Sequence, residues 1–191
     1  MNIKELFEAI SAYEPFCQQE AEDKQEILQC IGAHGESLLY RENAKAHFTG
    51  SAFVVNAKRN KILMVHHNIR NTWSWPGGHA DGMADMEVVT RKEVLEETGV
   101  EALKLLGDGI GSLDVFHVQQ HVRKGEVVEP HLHLSITYLF EAEESVPLRI
   151  CPEENSAAEW LRADLLEEPL FSKKDVLLYT KLLSKVKNLG R

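Results

Sequence analysis

Residues 75–100 read WPGGHADGMADMEVVTRKEVLEETGV and place three carboxylates, Glu93, Glu96 and Glu97, at i, i+3 and i+4. On a helix turning ~100° per residue these positions span an arc of roughly 100°, so all three side chains point one way. Like charges at this spacing destabilise a helix by about 0.2–0.5 kcal/mol per pair. A place near the helix C-terminus adds repulsion from the macrodipole. A divalent cation would turn that cost into a use. Carboxylates are hard oxygen ligands suited to Mg2+, Mn2+ or Ca2+, and one left over from coordination could take a proton from water. The same residues also fit a solvated acidic face balanced by Arg91 and Lys92. Just upstream, Gly77 and Gly78 form a loop, where a glycine lets a backbone carbonyl approach a bound ion closely. Val88 and Leu95 fall on the opposite side of the helix and are expected to face a core. An EF-hand reading from Asp81 fails, because its sixth position is Met86 rather than Gly and its twelfth is Lys92 rather than Glu.

The surrounding pattern supplies elements to hold these residues. A helix is expected from about Met86 to Thr98, with Asp85 capping its start and Gly99 ending it in a left-handed conformation. Upstream, SAFVVN and KILMVHH read as two strands joined by the polar turn NAKRN, and NIRNTWSWPGGHADGM reads as a loop. Downstream, SLDVFHVQQ and HLHLSITYLFEAE read as strands linked by a polar turn around Lys124 and Gly125. In the second, Leu132, Leu134, Ile136 and Tyr138 alternate with His131, His133, Ser135 and Thr137, which predicts one buried face. A short strand, AAEWL, follows the acidic loop CPEENS, and two helical segments close the chain. Residues 1–45 read as helical, with Pro15 between two apolar-periodic runs and Gly32 and Gly35 closing the second. Strands flanked by helices predict an α/β layered domain, residues 46–191, with a helical N-terminal extension, residues 1–45, packed on it.

Composition narrows the function. The 191 residues are 43% hydrophobic, enough for a packed core. With 21 basic and 30 acidic residues the net charge is −9, which argues against a nucleic-acid polymer or a membrane surface as partner, both being anionic. A small phosphorylated substrate stays compatible, because a metal ion reverses the local sign. Cys17, Cys30 and Cys151 are far apart and odd in number, so neither a disulfide framework nor a zinc–thiolate site is expected. The N-terminus carries charges inside its apolar run, unlike a signal peptide, and no stretch has the length of a transmembrane helix, so a cytoplasmic location is expected.

The glycines and carboxylates together resemble the Nudix box, G-x5-E-x7-R-E-U-x-E-E-x-G-U, in which U is a bulky aliphatic residue. Gly78 opens the box, and Glu93, Val94, Glu96, Glu97, Gly99 and Val100 fill their places. The phrase WSWPGGH before it is similar to the W-x-x-P-G-G-H of many Nudix proteins. Two positions depart: Ala84 stands where the family has its first Glu, and Lys92 where it has Arg, with Arg91 beside it. Lys92 brings charge without a planar fork, and Asp81, Asp85 or Glu87 could compensate for Ala84.

The resemblance implies a Nudix-like α/β/α sandwich with a mixed sheet. It also implies hydrolysis of a nucleoside diphosphate-linked or related pyrophosphate-containing small molecule, with Mg2+ or Mn2+ as cofactor and water attacking phosphorus. Glu96, Glu97 and the Gly77 carbonyl would bind metal, with Glu154 of the late acidic loop as a further ligand or base. Glu93 would bind or orient a second metal or act as general base, oriented by Lys92. His79 and Trp75 would touch substrate, although Trp73 and Trp75 also fit packing against the domain. His131 and His133, at i and i+2 of a strand, could approach the cleft or a metal, or line a polar sheet face. Isopentenyl diphosphate isomerase shares the fold but has a catalytic Cys just before Gly-His, where this chain has Gly77. A non-enzymatic alternative, a domain that binds or senses a nucleotide-type ligand, is motivated by Ala84 and Lys92. The extension could cover the cleft, form a homodimer contact, or simply pack on the sheet.

Overall fold

Residues 46–56 alternate between two faces, and every one of them is buried, so this strand is central and covered on both sides. The computed structural model describes residues 1–123 and 126–189. Its strands are β1 (Ala46–Asn56), β2 (Lys61–His67), β3 (Thr72–Ser74), β4 (Gly77–His79), β5 (Lys104–Leu105), β6 (Ser112–Val118), β7 (His121–Arg123), β8 (Glu126–Val128), β9 (His131–Ala142) and β10 (Asn155–Arg162). The helices are α1 (Ile3–Ala12), α2 (Gln18–His34), α3 (Met86–Thr98) and α4 (Lys173–Asn188). The main sheet runs β10-β2-β1-β9-β5, with β3 on β2, β4 on β1 and β6 on β9. β1 and β9 pair in parallel from Ala46–Leu132 to Asn56–Ala142, whereas the other pairings are antiparallel, so the sheet is mixed as expected. β7 and β8 form a separate ladder, and the turn expected around Lys124 and Gly125 lies outside the described residues.

Residue parity on β1 and β9 divides the core. Phe48, Ala52 and Val54 join Leu134, Ile136 and Phe140 in one cluster, covered by α3 and by Leu6, Ile10, Ile27 and Ile31 of α1 and α2. Phe53, Val55 and Leu139 face the other way, under Tyr179, Leu182 and Val186 of α4. Helices on both faces make the expected α/β/α sandwich.

Several local expectations need correction. β9 is buried on both faces, because Ser135 and Thr137 lie beneath other elements as fully as Leu134 and Ile136. The glycine- and tryptophan-rich stretch is not wholly loop: β3 and β4 form within it. Gly32 lies inside α2, and Gly35, at φ 55°, ends it. Asp85 does cap α3, accepting the Val88 N–H, and Gly99 does close it at φ 76°. The sides of α3 are reversed, however: Val88 and Leu95 are 50% and 38% exposed. The reason lies at Gly50, where a Cβ would sit 2.6 Å from Thr90 Oγ1 and crowd Val89 and Met86. The bare Cα lets α3 seat Met86, Val89 and Thr90 directly on β1. On a 3.6-residue repeat that turns positions 93 and 97 inward with them and 88 and 95 outward.

The N-terminal helices are tied to α4 by buried charge. Glu20, fully buried, accepts from Lys185 Nζ at 2.6 Å, Tyr13 Oη at 2.6 Å, Phe16 N at 2.9 Å and Ser112 Oγ at 2.9 Å, with Lys181 Nζ at 3.1 Å. Lys181 also reaches Asp114 at 2.6 Å. Burial pushes the Glu20 carboxyl up, but Lys185, Tyr13, the Phe16 amide and Lys181 outweigh it and hold it at about 2. Removing one partner of a buried ion pair costs about 3–5 kcal/mol, so E20Q is expected to lower unfolding stability in urea by that order. A group depressed from an ordinary 4.5 to about 2 stabilises fully above the higher value. The wild-type advantage over E20Q should therefore shrink as pH falls through that window, as equilibrium unfolding at several pH values would read.

Candidate functional site

The pairing of β4 with β1 sets up the site. Ala52 N donates to Pro76 O and Ala80 N to Phe48 O, and Gly50 lies opposite Gly78. In an antiparallel ladder the residues between such pairs turn their backbone groups away from the partner strand. Gly77 and His79 therefore present theirs at the open edge, where the Gly77 N–H donates to Glu97 Oε2 at 2.8 Å. A Cβ on Gly77 would meet Gly50 O at 2.5 Å, and one on Gly78 would overlap the Glu93 carboxyl group. Both positions need glycine for close approach rather than for an unusual φ.

Above this edge the three carboxylates differ in environment. Glu97 is buried; its Oε1 accepts from Asn155 Nδ2 at 3.0 Å. Glu93 has 15% of its side chain exposed and Glu96 has 53%. Burial raises the Glu97 carboxyl to about 7, with Glu93 and Glu154 adding to the rise and the Asn155 and Gly77 donors opposing it. Burial also raises Glu93, which Lys92 lowers and Glu96, Glu154 and Asp81 raise further. Lys92 Nζ sits 2.9 Å from Glu96 Oε2 and 3.8 Å from Glu93 Oε1, so it bridges the two.

The expected site residues are thus largely brought together. Gly77, Glu93, Glu96 and Glu97 converge, and Lys92 borders them. Glu154 is exposed and makes its effect felt on Glu93 and Glu97 through charge; its loop is held by Asn68, whose N–H donates to Glu154 O at 2.8 Å. The neighbours of the buried Ala84 do not fill in for a missing carboxylate. Asp85 caps α3, Glu87 pairs with Arg91 at 2.8 Å, and Asp81 pairs with Arg41 at 2.6 Å. Arg91 turns away from the site, over the Phe140 ring. Two participants escaped sequence reasoning. Asn155 directly follows the suspected Glu154, and Arg41 sits in the extension, its guanidinium held by Asp81. Their only sequence signal was proximity to acidic residues.

His79 and Trp75 lie on the other face of the sheet, since their parity on the β4 side matches Thr49 and Ser51. Trp75 is half-buried, edge-on to Tyr179 at 5.3 Å and to Phe116 at 6.2 Å; Trp73 packs edge-on to His66. Beside Trp75 the sheet floor is polar: Ser51 Oγ lies 3.0 Å from Ser135 Oγ, and Thr137 Oγ1 is buried without a hydrogen-bond partner among the described residues. His47, His79, His131 and His133 cluster at its end. Burial, then His79, His47 and His131, push His133 down to about 2. The site thus has a carboxylate-rich edge suited to a hard cation and an adjoining polar and aromatic sheet face.

A family model described as NUDIX domain matches residues 45–181. Similar solved structures include the E. coli dihydroneopterin triphosphate pyrophosphohydrolase, with a TM-score of 0.55 and 15% identity over 74% of this chain and 95% of that one. A C. elegans Ap4A hydrolase, in a binary complex, has a TM-score of 0.52 and 16% identity over 75% and 96%. A NUDIX-family hydrolase from Clostridium perfringens has a TM-score of 0.52 and 19% identity over 72% and 96%. At such identities the likeness is one of fold. Comparison with curated proteins finds no match.

The raised Glu97 carboxyl has a measurable consequence. Between its ordinary 4.5 and about 7, the folded chain holds a proton that the unfolded chain has released. Without divalent cation, stability should therefore fall as pH rises through that window, by up to roughly 3 kcal/mol. E97Q, which does not titrate, should remove that component, so urea unfolding of the two proteins across pH 4–8 (roughly the window set by these values) should diverge in slope. Parallel curves would contradict the assigned environment.

Proposed function

The chain belongs to the NUDIX domain family, and from that membership we propose that it is a divalent-cation-dependent hydrolase of a nucleoside diphosphate-linked or related pyrophosphate-containing small molecule. The observation that carries this reading is the packing of Glu93 against Gly78 and of Glu97 against Gly77, with Glu96 beside them on α3 and with Glu93 and Glu97 pushed up by burial and by neighbouring carboxylates. Such a donor set fits Mg2+ or Mn2+. It is made of hard oxygens, its charges repel one another, and Glu97 is oriented by two outer donors while keeping further lone pairs on each oxygen.

Glu96, Glu97 and the Gly77 carbonyl would hold the cation, with Glu154 as a further acidic ligand from the β10 side. When bound, the cation supplies positive charge to the phosphate oxygens and offsets the charge that develops as water attacks phosphorus. Glu93 takes the proton of the attacking water, a role suited to a carboxylate whose burial raises its basicity. Lys92 positions Glu93 and Glu96 together. His79 and Trp75 would contact the rest of the substrate along the polar sheet face. The dihydroneopterin triphosphate and Ap4A named for two structural relatives are phosphate-rich molecules of this general class, though at those identities they do not choose a substrate here. The buried Ala84, with no acid taking its place, supports a second reading in which the same site binds or senses a nucleotide-type ligand without turnover.

A screen against nucleoside diphosphate derivatives with Mg2+ or Mn2+, reading phosphate or nucleotide release, tests the proposal. Turnover is expected to need the cation, and E93Q should lower kcat by about 10²–10⁴-fold, the range of a general base. Ligand binding without turnover across the panel would favour the sensor. G78A offers a cleaner probe. The three atoms nearest the added methyl all belong to the carboxyl end of Glu93, so the melting temperature should change less than kcat, which falls with the displaced carboxylate; unchanged turnover would detach Glu93 from catalysis.

A further inference from the structure

Four imidazoles converge on the sheet face away from α3. The parallel β1–β9 register sets His47 beside His133, the antiparallel β1–β4 register sets His79 opposite Thr49, and His131 precedes His133 by two on the same face of β9. Ring centroids lie 5.0 Å apart for His47 and His79, 4.9 Å for His47 and His133, and 5.0 Å for His79 and His133. One ring nitrogen from each of His47, His79 and His133 lies within 4.8 Å of the others.

The hydrogen bonds around these rings resemble the outer supports of metal ligands. His47 is 95% buried on a 5% exposure, and its Nδ1 faces the Asn43 carbonyl at 3.4 Å. A carbonyl only accepts, so Nδ1 carries the proton and Nε2 keeps its lone pair. That Nε2 is buried with no hydrogen-bond partner among the described residues. On the far side, the Glu129 carbonyl takes His131 Nδ1 at 2.8 Å, and His131 Nε2 lies 3.2 Å from His133 Nε2. A carbonyl thus fixes one end of the cluster directly and the other through His131, as second-layer groups fix metal-binding histidines.

We propose that His47, His79 and His133 form a binding site for a first-row transition cation, Zn2+ in the first instance. The site is separate from the carboxylate centre and is tested without turnover; of its three ligands only His79 is also given a substrate contact in the hydrolase reading. Nitrogen donors of intermediate softness suit Zn2+, whereas the carboxylates suit harder ions. Zinc bonds of about 2.0–2.1 Å in a tetrahedron separate their nitrogens by about 3.3 Å. The ring nitrogens, within 4.8 Å of one another, would have to draw together to that value when an ion binds. The two centres lie on opposite faces of one short strand: Gly78 abuts Glu93, and His79 points the other way.

Cobalt(II) reports such a site directly, because tetrahedral cobalt shows intense visible bands and octahedral oxygen-bound cobalt does not. Metal-stripped wild type titrated with Co2+ should take up one equivalent with tetrahedral bands, and Zn2+ should bleach them. The bands should survive in E96Q/E97Q and vanish in H47N/H133N. H79N, at a half-buried edge position, should also lose them, and it decides the matter if the double variant fails to give a folded circular dichroism spectrum. Weak octahedral bands in the wild type, bands retained in H79N, or bands lost in E96Q/E97Q would each overturn the assignment.

Discussion

The Glu97 carboxylate is the joint on which the site turns. It sits almost out of solvent, on a helix, and accepts one hydrogen bond from the Gly77 amide and one from Asn155. Those bonds fasten three elements, α3, β4 and β10, at one point. A carboxylate so placed is held up to about 7 by its burial, which shifts it toward its neutral form. A cation at the edge would oppose that shift, because its charge would offset the desolvation, and the lesser repulsion from Glu93 and Glu154, that make the ionised form costly. The same two hydrogen bonds would then aim the ligand as well as satisfy it.

Close approach makes this joint possible, and glycine provides the approach. Gly50 lets α3 lie on β1 at a distance that a methyl group would forbid, and Gly78 leaves room for the Glu93 carboxyl against the strand. Thr90 and Thr98 bury their hydroxyls on the same helix because each bonds the carbonyl four residues back, to Met86 and Val94. The helix is therefore held by main-chain proximity and internal satisfaction more than by an apolar stripe. That explains why its outward side can carry Val88 and Leu95.

Much of this was legible in the sequence, and the failures have physical causes. The bounds of α3, its Asp85 cap and its Gly99 stop follow from local chemistry, and so does the convergence of three carboxylates. Apolar character alone points Val88 and Leu95 at the core, the wrong way round; Met86, Thr90 and Val94 share a face with Glu93 and Glu97, and only the packing on Gly50 chooses between the two sides. Asn155 and Arg41 were missed because their partners, Glu97 and Asp81, are brought to them by tertiary contact. The pairing of His131 with His133 was visible as a strand repeat, but the arrival of His47 and His79 depends on the β1–β9 and β1–β4 registers, which no local pattern specifies.

The buried Glu20 cluster bears on how this chain can be divided. The family match begins at residue 45, which invites a shortened chain starting there. Such a chain would strip Lys181 and Lys185 of their shared carboxylate, leaving Lys181 with Asp114 alone, and it would uncover the apolar surface under Leu6, Ile10 and Ile27. The motif boundary and the boundary of the smallest piece able to hold itself together are therefore different places. The first forty-odd residues belong to the scaffold of the site, although none of the carboxylates comes from them.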